Sequence, residues 1–231
     1  MNLSSTILNY PSSELGEGLC VNSIEHSFCW VNIKLRKIYL VKNQYSQFYS
    51  YNYPYIPSNI FYFNNDVAII LDNYGIAEFS WADSSLVRYF DFSSELFDKN
   101  FRGNDGVRLD SDTFLFGSMH TNDPINNIGS VWLLKDKKIL KIADNHIPNS
   151  FIRSKDLVLI SDSYKKIIYN YSIKSNKIVG IWTDISYQNG NPDGGFVVDD
   201  EYFYVAFWGA SKIVKFNIKG DYLDDLILPV K

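Results

Sequence analysis

The sequence predicts an all-β protein, a β-propeller built from five visible copies of one four-stranded unit. Three observations predict it. Aromatic residues make up 16% of the chain, and with β-branched residues they favour the pleated, half-buried surface of a sheet. No segment sustains helical periodicity; apolar residues come instead in short runs or alternate with polar ones. The runs also return at a fixed interval. Glu17, Asn59, Asn104, Asn149 and Asp193 hold equivalent places, separated by 42, 45, 45 and 44 residues. A period near 45 with four short strands per copy is what a propeller blade requires, and residues 1–231 read as one such domain.

Each copy opens on a polar turn bearing Gly or Pro, which leads into an innermost strand. In order these openings are GEGLCVN, PSNIFYF, GNDGVRL, PNSFIRS and PDGGFVV. Gly, Pro, Asn and Asp suit such turns through left-handed geometry, a preset φ, or side-chain capping of the backbone. A strand, turn and strand follow in each copy: SFCWVNIKLRKIYLV, DVAIILDNYGIAEFS, DTFLFGSMHTNDPINNIGSVWLL, DLVLISDSYKKIIYNYS and EYFYVAFWGASKIVKFN. Outer strands are expected at SLVRYFDF, KILKIAD, KIVGIWTD and YLDDLILPV. One blade cannot bury both of its faces, so neighbours must stack, and aromatic side chains fill a wide gap between sheets. Cys20 and Cys29 lack metal-site spacing and are too few for a disulfide framework; they read as small buried apolar residues.

A formal net charge of −4 without a local basic cluster gives no footprint for nucleic acid. No apolar run reaches the roughly 18 residues that span a bilayer, and the first residues lack the basic start and apolar stretch of a secretory signal. A cytoplasmic location is expected.

The first strand of every blade lines the central channel, so residues at its entrance converge although they lie far apart in sequence. Glu17, Asn59, Asn104, Asn149 and Asp193 form that set, with Arg102 and Asp105 beside them. Carboxylate and amide oxygens without neighbouring Cys or His are hard donors that favour calcium, magnesium or manganese, and zinc also accepts oxygen ligands. Any one of these residues is common in an ordinary turn; their shared phase is the informative fact. Ser150 has no His at the same phase to activate it, and Asp162 reads as a binder of turn amides rather than a metal ligand.

At these residues the chain resembles the gluconolactonase, senescence-marker and luciferin-regenerating family. The resemblance rests on LGEG and FCWVNI at 15–18 and 28–33, and on RGNDG and LFGSM at 102–106 and 115–119. It continues with IPNS and ISDSYKKIIYNY at 147–150 and 160–171, then NPDGG and YVAFWGASKIVKF at 191–195 and 204–216. It runs in order over residues 14–228 and implies a six-bladed propeller that hydrolyses a sugar lactone or related ester. It implies one divalent cation, calcium foremost, held by Glu17, Asn149 and Asp193, with Arg102 and Asn104 on the substrate side. In the implied mechanism the cation polarises the carbonyl and Asp193 serves as general base for water.

Two departures accompany the resemblance. Family members continue for another blade beyond LDDLILPV, whereas this sequence stops at Lys231. The ring is therefore expected to be five-bladed, open, or completed by a partner. It closes either by tightening, with ILNY near residue 7 pairing against YLDDLILPV, or by two chains meeting at their open edges. The regular repeats favour the closed ring. Second, the insert HTNDPINNIGS lacks the substrate-facing Glu of several lactonases and offers His120, Asn126 and Asn127 instead; His120 joins the candidate substrate-binding residues. Asn32 also stands where the family has Asp. Two other functions compete with a lactonase: a non-catalytic, metal-stabilised propeller that binds a partner, and an amine–aldehyde condensing enzyme of the strictosidine-synthase kind. The latter needs a channel Glu beyond Glu17.

Overall fold

The computed structural model describes residues 10–42, 46–92 and 98–229. Their regular structure consists of twenty strands in five four-stranded antiparallel sheets. Blade I comprises β1 (Gly16–Asn22), β2 (Ser27–Asn32), β3 (Lys37–Lys42) and β4 (Gln47–Asn52). Blade II comprises β5 (Pro57–Phe63), β6 (Val67–Asp72), β7 (Gly75–Ser80) and β8 (Leu86–Asp91). Blade III comprises β9 (Phe101–Arg108), β10 (Thr113–His120), β11 (Ser130–Lys135) and β12 (Lys138–Asp144). Blade IV comprises β13 (Pro148–Ser154), β14 (Leu157–Asp162), β15 (Ile167–Ser172) and β16 (Lys177–Asp184). Blade V comprises β17 (Asn191–Val198), β18 (Tyr202–Trp208), β19 (Lys212–Asn217) and β20 (Tyr222–Ile227). The chain is a five-bladed β-propeller in which each blade is a simple meander.

The second strands are the most apolar because both of their faces are covered; Ala68, Ile70 and Leu71 of β6 are fully buried. Two of their ends, in blades II and IV, are fixed by carboxylates. Asp72 Oδ1 accepts from the amides of Tyr74 and Gly75, at 2.7 and 3.0 Å, and Asp162 Oδ1 does the same for Tyr164 and Lys165, at 3.1 Å each. Asp162 is thus the turn residue the sequence suggested. Asn32 takes the same place in blade I, where its Oδ1 accepts from Leu35 at 3.2 Å.

Apolar side chains interdigitate between successive blades. Cys29, Val31 and Leu40 pack against Ile60, Ile70 and Phe79. Leu71 and Ile76 meet Phe114 and Phe116, and Leu115 and Leu133 meet Ile160 and Tyr171. Ile152, Leu159 and Ile168 meet Phe203, Val205 and Phe216. Fully burying one such side chain stabilises by about 1.5–3 kcal/mol, so these layers hold the ring together. Among the described residues they make four interfaces for five blades. The inner strands pack in series, β1 on β5, β5 on β9, β9 on β13 and β13 on β17, and no comparable packing joins blade V back to blade I. Leu19 and Val21 on β1 remain 68% and 61% exposed, and Phe196 on β17 remains 51% exposed. Among the described residues the ring is therefore open on one side, without the tightened closure favoured from the sequence. Most of the ILNY segment lies outside the described residues; its Tyr10 stacks on Phe48 and packs against Phe28 and Trp30 of blade I. No helix of the described residues is long and apolar enough to cross a membrane.

Candidate functional site

In four of the five inner strands the ladder is interrupted at the same place. Between the pairs Glu17↔Val31 and Cys20↔Cys29, two residues of β1 oppose one of β2. The same bulge places Asn104 and Asp105 in β9, Ser150 and Phe151 in β13, and Asp193 and Gly194 in β17. A bulge bends its strand and re-aims the side chains beside it. Local conformation follows: Gly18, Ser150 and Phe151 have φ of 60°, 76° and 37°. At Gly18 only a glycine fits, because a Cβ there would lie 2.7 Å from the Asn59 Cα. The ladder also refines the repeat phase. Glu17 and Asn149 are the last paired residues before their bulges, whereas Asn104 and Asp193 are the first residues inside theirs.

The amides knit blade to blade. Asn59 Nδ2 donates to the Gly106 carbonyl at 2.8 Å. Asn104 Nδ2 donates to the Pro148 carbonyl at 3.0 Å and to Asn149 Oδ1 at 2.8 Å, while its own Oδ1 accepts from Arg102 Nη1 at 2.9 Å. Asn149 Nδ2 donates to Ser163 Oγ at 2.9 Å, and Ser163 donates to the Pro192 carbonyl at 2.6 Å. Ser150 Oγ donates to the Asp193 carbonyl, also at 2.6 Å, which gives it a structural task between blades IV and V.

Charge gathers at the same place. Burial and the negative charges of Asp193 and Asp105 push Glu17 well above the usual carboxylate range, with partial relief from Arg102. Asp105 is pushed up to about 7, chiefly by burial, although it accepts from the Gly106 amide at 2.7 Å. Burial raises Asp193 to about 6 against the opposing pull of the Gly194 amide and Arg102. Arg102 is itself lowered by burial. Glu17, Asp105 and Asp193 line one cavity of about 870 Å³ with Asn59, and its walls continue over Trp30, Phe61, Phe196 and Tyr204 into the open side of the ring.

Glu17, Asp193, Arg102, Asn104 and Asn149 are thus brought into one connected group. His120 stands apart from it. It ends β10, one strand out from the channel; its Nδ1 accepts from the amides of Asn122 and Asp123, at 3.3 and 2.9 Å, and its ring packs edge-on against Phe101. Asn126 and Asn127 turn inward onto Asp123. Asp105 is the residue to which sequence reasoning gave no role; its place in RGNDG, directly after Asn104, was the available signal.

Two carboxylates share one guanidinium, with Asp105 buried near them, and Arg102 is the cation whose charge reaches both Glu17 and Asp193 among the described residues. Uncompensated negative charge and oxygen-only donors fit a hard divalent cation. Among the described residues no group of three or more His, Cys, Asp or Glu could hold a metal ion. A coordination set here would need a donor from an amide, and the Asn149 oxygen keeps a lone pair beyond its bond to Asn104.

Known structures share this architecture. A calcium-binding regucalcin from Agrobacterium tumefaciens superposes with a TM-score of 0.83 at 19% identity, over 94% of this chain and 75% of that one. A luciferin-regenerating enzyme gives 0.83 at 20% identity, over 94% and 77%. A gluconolactonase from Xanthomonas campestris gives 0.77 at 14% identity, over 95% and 78%. Such identities establish the fold alone. Among curated proteins none matches the sequence. The profile of the SMP-30/gluconolactonase/LRE-like region, however, matches residues 15–231. With nearly the whole sequence inside that profile, the chain belongs to the SMP-30/gluconolactonase/LRE-like family.

Proposed function

We propose that the chain is a divalent-cation-dependent hydrolase of a lactone or related ester with a small-molecule substrate. The observation that carries this reading is the meeting of Glu17, Asp105 and Asp193 around one cavity, with Arg102 close enough for its charge to act on Glu17 and Asp193 and hydrogen-bonded to the Asn104–Asn149 pair, in a family named for gluconolactonases. Glu17, Asn149 and Asp193 would hold the cation, calcium foremost with magnesium, manganese and zinc as alternatives, and it would supply Lewis-acid polarisation of the carbonyl. Asp193 takes the proton of the attacking water; a carboxylate held near 6 is ionised at neutral pH yet more basic than an ordinary one. Arg102 presents a guanidinium to the ring hydroxyls, and Asn104, fixed by its bonds to Pro148 and Asn149, holds the ring in register with Asp193. His120 shapes the loop over this end of blade III through the amides it binds.

The test combines calorimetry and turnover. Chelated protein should bind calcium with a stoichiometry near one, and acid release from a panel of sugar lactones and simple esters should depend on that ion. Binding without turnover would favour a non-catalytic propeller, a reading supported by the inward engagement of Asn126 and Asn127 in the insert that lacks Glu. Failure to bind any divalent cation would remove both readings.

A further inference from the structure

Cys20 stands directly opposite Cys29 in the ladder between β1 and β2. Opposed residues of an antiparallel pair have Cα atoms about 4.5 or 5.5 Å apart, inside the span of roughly 4.4–6.8 Å that a disulfide bridges. Both side chains belong to the layer between blades I and II, where Cys29 is fully buried. Packing alone would be served by any two small apolar residues. Three features set this pair apart.

The first is the register itself, which puts two thiols face to face with no third residue between them. The second is asymmetry. Cys20 is only half-buried where Cys29 is fully buried, and it follows directly on the Gly18–Leu19 bulge, so Cys20 is the thiol that a small molecule reaches first. The third is polarity: the neighbouring Cys29 thiol lowers the pKa of Cys20, while burial pushes Cys29 up. An accessible thiol with thiolate character beside a buried one is the arrangement of an attacking and a resolving cysteine.

We propose that Cys20 and Cys29 are a redox-active dithiol that closes to a disulfide by exchange with a small-molecule disulfide. The Cys20 thiolate attacks one sulfur of R–S–S–R, forming a Cys20–S–S–R mixed disulfide and expelling RS⁻. The Cys29 proton passes to that thiolate. Cys29 sulfur then attacks Cys20 sulfur, and the second RS⁻ leaves and is protonated from the solvent. The chain loses two hydrogens overall, and the small disulfide is reduced to two thiols. The bridge pins β1 to β2 three residues from Glu17, and this proposal stands whether or not Glu17 binds a cation.

Folded protein is incubated with oxidised glutathione at mildly alkaline pH, alkylated, and weighed whole and after digestion. The expected product is a chain lighter by two hydrogens that yields one peptide joining Cys20 to Cys29, reversed by dithiothreitol. Cys29→Ala should accumulate a single glutathionyl adduct on Cys20, and Cys20→Ala should acquire none over the same time. The proposal is overturned if both thiols stay alkylatable in the wild type, if adducts collect on both without a bridge, or if the bridge joins two chains. Should either variant fail to fold by circular dichroism, the bridged wild-type peptide decides the matter alone.

Discussion

Asp105 accepts a hydrogen bond from Gly106 at 2.7 Å and is nevertheless held at about 7, because burial and the neighbouring Asp193 outweigh what the amide contributes. Asp193 at about 6 and Glu17, also raised by burial, share that predicament. The sign of the effect on stability follows. Folded pKa values lie above the unfolded carboxylate value of about 4, so in this range the native state retains protons that the unfolded state releases, and stability falls as pH rises. In chelated protein the unfolding free energy should therefore drop by a few kcal/mol between about pH 4 and pH 7, and saturating calcium should abolish the drop. Urea melts at several pH values would expose a flat metal-free profile, which contradicts the clustering. The roles divide similarly. Glu17→Gln or Asp193→Asn should weaken calcium by at least the roughly 10–100-fold that even an outer partner of a metal ligand commands. Arg102→Ala should lower kcat/KM by about tenfold or more with calcium affinity unchanged or tightened, since its positive charge lies beside Glu17 and Asp193. Loss of calcium on that substitution would place Arg102 in the wrong role. The residue types gathered at the channel mouth were legible from the repeat, which set Asp105 beside them. Which of them precede a bulge and which lie inside one was not, since a bulge is a relation between two strands.

In blade II, the turn after the second strand shows how one carboxylate organises an element. Asp72 accepts from two backbone amides, from the Tyr53 hydroxyl at 2.7 Å and from Arg88 at 2.8 Å, with no exposure of its own side chain. Arg88 in turn lies 4.6 Å over the Tyr55 ring. Removing one partner of a buried pair strands the other, at a cost of about 3–5 kcal/mol. Asp72→Ala should lose about that much in chemical denaturation, whereas Asp83→Ala in an exposed turn should leave the denaturation midpoint nearly unchanged; equal small losses would show that the network is slack. In blade I the same position is Asn32, whose Nδ2 has no hydrogen-bond partner among the described residues although the residue is fully buried. The strands and the turn role of Asp162 were readable from short apolar runs bounded by turn residues. The inward collapse of Asn126 and Asn127 onto Asp123 was not, because polar loop residues satisfy one another in ways that no periodicity records.

At the scale of the molecule, five repeats told how many blades form but not how they close. Closure depends on the angle between neighbouring blades, which is set by the bulk of the layers between them rather than by the period of the sequence. The open side leaves Leu19 and Val21 on blade I, and Phe196 and Trp208 on blade V, in solvent. Apolar faces of this kind mark an interaction surface. A two-fold axis would set blade V of each chain against blade I of the other, burying the roughly 2,000 Å² or more typical of obligate dimers. Sedimentation equilibrium should accordingly give a dimer that Phe196→Lys weakens; a monomer across the whole concentration range would refute this pairing.

The position of the two acidic strands relative to that opening carries a mechanical consequence. Glu17 belongs to the first blade and Asp193 to the last, so like charges sit on the two free ends of what is in effect a split washer. Their repulsion tends to spread the split; a divalent cation shared between them would draw it shut. Calcium should then act as a clasp whose grip is felt along whole strands, slowing deuterium uptake in β1 and β17 more than in β9. That difference should vanish in Glu17→Gln, which leaves the washer unclasped.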